Sequence, residues 1–127
     1  MTRQIKVGDV LIGGSAPIAI QSMSTFSPAD TEYAAAQINA LDEAGADIVR
    51  LAVPDKKAAE ALGVLRAKVK VPLVADIHFD HMLALQAVAS GVDALRINPG
   101  NIGSDDKVAA VVAAIVLWAA AGGYVPW

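Results

Sequence analysis

Two arginines stand inside short apolar runs, Arg50 in Ile48-Val-Arg-Leu-Ala-Val53 and Arg96 in Ala94-Leu-Arg-Ile97. A guanidinium is permanently charged and donates N–H groups in pairs, so two of them converging on one pocket suit a phosphate or diphosphate. The plain reading is a structural pairing of each with a carboxylate, for which Asp47 and Asp93 lie close in sequence. Asp76 and His78 are two residues apart in Val71-Pro-Leu-Val-Ala-Asp-Ile-His78. In a strand that spacing puts both on one face, where they bind a metal, orient a substrate, exchange a proton or simply hydrogen-bond. Asn98 opens Asn-Pro-Gly-Asn-Ile-Gly103, a glycine-rich segment before a helix expected from about Ser104. Backbone N–H groups at such a helix start attract anions, although the same residue types also make ordinary turns. Gln21-Ser22 ends the first apolar run. His81 reads as a solvated or capping side chain, Met23 and Phe79 as core, and Asp105-Asp106 as acids favoured in a first helical turn.

These residues need a scaffold, and the pattern supplies one. Pro17–Met23 reads as a short buried strand and Asp30–Ala44 as a helix with Gly45 just beyond it. Asp47–Val53 is strand-like, and Asp55 caps a helix running to Val69. Val71–Asp76 is a third strand, Asp80–Ser90 a helix stopped by Gly91, and Ala94–Ile97 a fourth strand. Strand centres near residues 20, 50, 74 and 96 leave room for right-handed crossovers, so the sheet is expected to be parallel. In such folds the C-terminal strand ends form the active face, which puts Gln21, Arg50, Asp76, His78, Arg96 and Asn98 at one mouth. A (β/α)8 barrel takes about 250 residues. The expected class for these 127 residues is therefore α/β, with parallel βα repeats forming roughly half of a TIM barrel over residues 1–114.

The composition, 55% hydrophobic and 18% charged, fits one globular core. Thirteen acids against ten bases, with no basic cluster, argue against a nucleic-acid partner. The absence of cysteine excludes disulfides, thiolate zinc and cysteine-held iron–sulfur clusters within the chain, and no metal site is expected. Met1–Asp9 carries no apolar segment of the signal-peptide kind, so a cytoplasmic location is the expectation. Residues 115–127 read as an atypical apolar ending. Nothing after Lys107 is charged, and the fourteen apolar residues from Val108 to Ala121 leave a helix no polar face. A frameshift or truncated gene accounts for this ending better than a membrane anchor, since Gly122-Gly123 and Pro126 interrupt any span. An open sheet edge beside an apolar terminal helix predicts self-association, hence a homo-oligomer.

Four segments appear in the order and spacing of one family: Pro17-Ile-Ala-Ile-Gln-Ser-Met23, Gly45-Ala-Asp-Ile-Val-Arg-Leu51, Val71-Pro-Leu-Val-Ala-Asp-Ile-His-Phe79 and Leu95-Arg-Ile-Asn-Pro-Gly-Asn-Ile-Gly103. With the leading Gln4–Gly13 segment, the chain resembles the N-terminal part of the 4-hydroxy-3-methylbut-2-enyl diphosphate synthases, the IspG or GcpE family, over about residues 3–114. The resemblance implies reductive opening of 2-C-methyl-D-erythritol 2,4-cyclodiphosphate, with loss of water, in the non-mevalonate isoprenoid pathway. It implies flavodoxin or ferredoxin as electron source and a [4Fe-4S] cluster held in a separate cysteine-bearing domain, so no cofactor is expected in this chain. By the same resemblance Arg50 and Arg96 grip diphosphate oxygens with Asn98, Asp76 and His78 line the pocket near the ring as catalytic residues, and Gln21 is a weaker substrate contact. Alone, the chain is expected to be inactive. Two other readings are a non-catalytic diphosphate-binding or self-assembling half-barrel and, less favoured, a barrel of the dihydropteroate synthase kind.

Overall fold

A computed structural model describes residues 3–78, 80–97 and 102–120, the last seven of these by backbone alone. The chain opens with an element that the apolar pattern does not announce. Strands β1 (Ile5–Val7) and β2 (Val10–Ile12) form an antiparallel hairpin, with Val7 opposite Val10. Gly8 makes the turn at φ 57, the positive angle that a two-residue hairpin requires at this position. A Cβ there would sit 2.9 Å from the Pro72 ring, so only glycine fits. Strands of three residues are too short to display a period, which is why the hairpin is invisible to pattern reading.

The remaining elements alternate as expected: β3 (Gln21–Met23), α1 (Thr31–Glu43), β4 (Ile48–Ala52), α2 (Lys56–Lys68), β5 (Leu73–Ile77), α3 (His81–Ala89), β6 (Ala94–Ile97) and α4 (Asp105–Ala120). The four later strands form one parallel sheet in the order β3-β4-β5-β6, an arc of the kind that makes part of a TIM barrel. Asp55 caps α2 by accepting from the Ala58 N–H at 2.8 Å, and Asp80 caps α3 through the Met82 N–H at 2.9 Å. Gly45 and Gly91, at φ 109 and 90, turn the chain out of α1 and α3.

The first strand differs from its expectation. Only Gln21–Met23 joins the ladder, and Ile18 is 94% exposed. The cause is its place at the sheet edge: β3 has β4 on one side and no described strand on the other. Its lower anchor is Asp47, whose Oδ2 accepts the Ile20 N–H at 2.8 Å, while the Ile20 carbonyl accepts the N–H groups of Asp47 and Ile48. Met23, expected in the core, is exposed because no described element lies across from this edge. Phe79 lies outside the described residues.

The sheet has two unlike faces. Val49, Leu51, Leu73, Ala75 and Ile77 are buried against Ile38, Leu62, Leu65 and Leu83 of the helices, forming the main core. The opposite face carries Ile48 and Val74, and the hairpin residues Val7, Val10 and Ile12 cover it at its lower, N-terminal end. Asp93 knits this end together, accepting from Arg66 Nη1 and, at 2.8 Å, from the Leu73 N–H, while Arg66 Nη2 donates to the carbonyls of Val69 and Val71. Asp47 and Asp93 are thus both committed elsewhere and pair with neither Arg50 nor Arg96. Among the described residues no helix is long and apolar enough to cross a membrane.

Candidate functional site

Above the hairpin, the inner face turns polar on three successive strands. The register aligns Arg50 with Val74 and, one step nearer the C-terminal end, Ala52 with Asp76 and Asp76 with Arg96. Neighbours in a parallel ladder project to the same side. Asp76, only 2% exposed, is therefore flanked by Arg50 and Arg96. Its Oδ1 accepts from Arg96 Nη1 at 2.9 Å. Its Oδ2 stands 3.6 Å from Arg50 Nε and 3.4 Å from His78 Nε2. The carboxylate that sequence proximity left unidentified is Asp76, brought there by strand register.

One carboxylate against two guanidiniums leaves one unit of positive charge uncompensated within the group. Arg50 Nε is buried and makes no hydrogen bond among the described residues, and Arg50 Nη2 points at Met23 Sδ, 3.7 Å away. Arg96 and His78 are each about half exposed on the open side, so the surplus charge faces solvent where a ligand can reach it. The arrangement suits recognition of a multiply charged anion by planar, paired N–H donors.

Other expected site residues fall elsewhere. Gln21 begins β3, level with Ile48, and so lies nearer the N-terminal end than Arg50. There it lines a cleft of about 480 Å³ with Ile12, Gly13, Ala16, Pro17 and Ile18. Asn98 lies outside the described residues, as do Pro99, Gly100 and Asn101 of its loop. Gly103, at φ 118, precedes α4, which begins next to Ser104 as the spacing suggests. His81 starts α3 with Nδ1 3.9 Å from Asp80 Oδ1 and is largely buried, while the capping bond belongs to Asp80.

Gln37 is a residue the sequence did not single out. From α1 its Oε1 accepts from Ser24 Oγ and the Thr25 N–H, both at 2.8 Å, and its Nε2 donates to Thr25 Oγ1 at 2.7 Å. One side chain thereby fixes the loop that leaves β3 beside Arg50. Phe26 of that loop stacks on Tyr33 with ring centres 5.7 Å apart. No local spacing signals a contact that joins a helix to a loop twelve residues earlier.

The donor set of a cysteine-held iron–sulfur cluster is missing. The chain contains no cysteine, and among the described residues no group of three His, Asp or Glu side chains could hold a metal ion.

A family model described as the GcpE TIM-barrel domain matches residues 2–119. The 4-hydroxy-3-methylbut-2-en-1-yl diphosphate synthase (flavodoxin) of Marinobacter nauticus is 58% identical over 113 residues, 89% of this chain and 30% of that protein. The enzyme of the same name from Pseudomonas syringae is 60% identical over 111 residues, 87% of this chain and 30% of its own length. The chain thus spans about 30% of the length of these curated relatives. Among solved structures, dihydropteroate synthase from Xanthomonas albilineans superposes with a TM-score of 0.63 at 17% identity, over 88% of this chain and 46% of that one. At that identity the likeness shows a shared fold alone. A match across nearly the whole described length, with relatives near 60% identity through the same strands, decides the family: the chain belongs to the GcpE TIM-barrel family.

Proposed function

We propose that this chain is the diphosphate-binding portion of a synthase converting 2-C-methyl-D-erythritol 2,4-cyclodiphosphate to 4-hydroxy-3-methylbut-2-enyl diphosphate. The observation that carries the reading is the Arg50–Asp76–Arg96 group on the open face of the sheet, with its surplus positive charge at the C-terminal strand ends. Arg50 and Arg96 take diphosphate oxygens and Asn98 assists; of the Asp76–His78 pair expected to be catalytic, half-exposed His78 lines the pocket beside the carbon skeleton as the catalytic residue, and buried Asp76 stands behind the arginines. Gln21, at the other end of β3, contributes a contact only to a ligand extending toward the hairpin. The reaction consumes two electrons and releases water. This chain has no cysteine to ligate a cluster, so electrons from flavodoxin or ferredoxin enter through a cluster held outside it. A cytosolic location and a homo-oligomer accompany this reading.

The test is calorimetry of the purified chain with the cyclodiphosphate and with inorganic pyrophosphate. Binding in the micromolar to millimolar range is expected for both, with no product formed when flavodoxin and reductant are added. Absence of heat with both ligands overturns the anion-site reading, and product formed by the chain alone overturns its inactivity.

A second reading, a self-assembling half-barrel without catalysis, draws support from the free edge of β3, where Ile18 and Ile20 are exposed. Sedimentation that shows a monomer at every concentration counts against it.

A further inference from the structure

We infer that Asp76 is a positioning residue, holding the two arginines in the orientation that a diphosphate needs and making no contact with the ligand. Both of its oxygens are turned toward basic side chains: Oδ1 accepts from Arg96 Nη1 at 2.9 Å, and Oδ2 faces Arg50 Nε at 3.6 Å and His78 Nε2 at 3.4 Å. At 2% exposure it has almost no surface left for a substrate. Arg96 is 55% exposed and uses only Nη1 on Asp76, which leaves its Nη2 and Nε without a protein partner among the described residues. The ligand-facing chemistry therefore sits on the arginines, and the carboxylate stands behind them.

Arg50 adds a second observation. Its Nε is buried beside Asp76, half an ångström or so beyond ordinary hydrogen-bond distance, and has no hydrogen-bond partner among the described residues. A buried donor in this condition gains a full charge-assisted bond from a small shift toward Asp76. An anion drawing Arg50 toward Arg96 supplies that shift, so Asp76 couples the two guanidiniums to the same event.

The inference rests on the anion-binding reading for its consequence, and its test separates the two. In the 127-residue chain, nitrogen NMR of the Arg96 guanidinium is expected to show two resolved Nη signals, the mark of restricted rotation. A single averaged signal overturns the clamp, whether or not any variant folds. The Asp76→Asn variant removes a negative charge from an anion site, so Coulomb attraction alone would tighten pyrophosphate binding. Positioning predicts the opposite sign: affinity falls by about tenfold or more, and the Nη signals of Arg96 merge. Asp76→Glu, which keeps the charge on a longer arm, is expected to recover part of the affinity. Pyrophosphate binding to Asp76→Asn that equals or exceeds that of the unsubstituted chain overturns the inference. If the unsubstituted chain binds no pyrophosphate, the anion-site reading fails, and the Arg96 signals in the two proteins still decide the clamp: merged in Asp76→Asn alone supports it, unchanged overturns it.

Discussion

At the scale of single residues, the buried carboxylate of Asp76 sets the energetics of the site. Removing one partner of a buried charged pair leaves the other with its desolvation cost unmet. Arg96→Ala is therefore expected to lower folding stability by about 1–3 kcal/mol, discounted for the exposure of Arg96, and urea unfolding measures it. Arg96→Lys keeps the charge but loses the planar fork, so it should recover stability better than diphosphate affinity. The types and spacing of Arg50, Asp76, His78 and Arg96 were legible in the sequence, because alternation along a strand assigns each to a face. What joins them was not. That Arg96 lies beside Asp76 follows from register between β5 and β6, set by how α3 packs on its return, and no property of either strand alone encodes it. The same limit made Asp47 and Asp93 look available when backbone N–H groups and Arg66 had already claimed them.

Among the elements, the helices were read most faithfully, since caps and glycines mark their ends in the sequence itself. Asp55→Ala should cost about 1 kcal/mol through the lost bond to the Ala58 N–H, visible as a lower midpoint in urea. The β3–α1 loop gives a finer test. Gln37→Leu deletes the bonds to Ser24 and Thr25, and amide exchange at Thr25 is expected to accelerate by about tenfold for each 1.4 kcal/mol of loop stability lost. Gln37→Glu retains the acceptor oxygens, and the Thr25 hydroxyl can reverse to donate, so exchange there should stay near that of the unsubstituted chain. Strands were harder to read. Pro17–Met23 resembles a seven-residue buried strand on paper, yet four of those residues lie outside the ladder because an edge position supplies a partner on one side only.

At the scale of the whole molecule, the described residues form an arc of four parallel strands with helices on one face and a hairpin on part of the other. The half-barrel class was legible from the repeat of strand, helix and glycine; the hairpin was not. An arc leaves its terminal strands with unpaired backbone, and charges placed on such an edge oppose further pairing. Ile18→Lys combined with Ile20→Lys should therefore reduce association of the chain, read as a lower weight-average mass by sedimentation at a given concentration. The hairpin carries a different consequence, one of order in time. Val7 clusters with Ile48 of β4 and Val74 of β5, so the hairpin meets its whole surface only after both strands have been made. As the chain leaves the ribosome, β1 and β2 must wait through about sixty more residues before that surface is complete. An element that precedes the sheet in the sequence is thus docked only after much of that sheet exists.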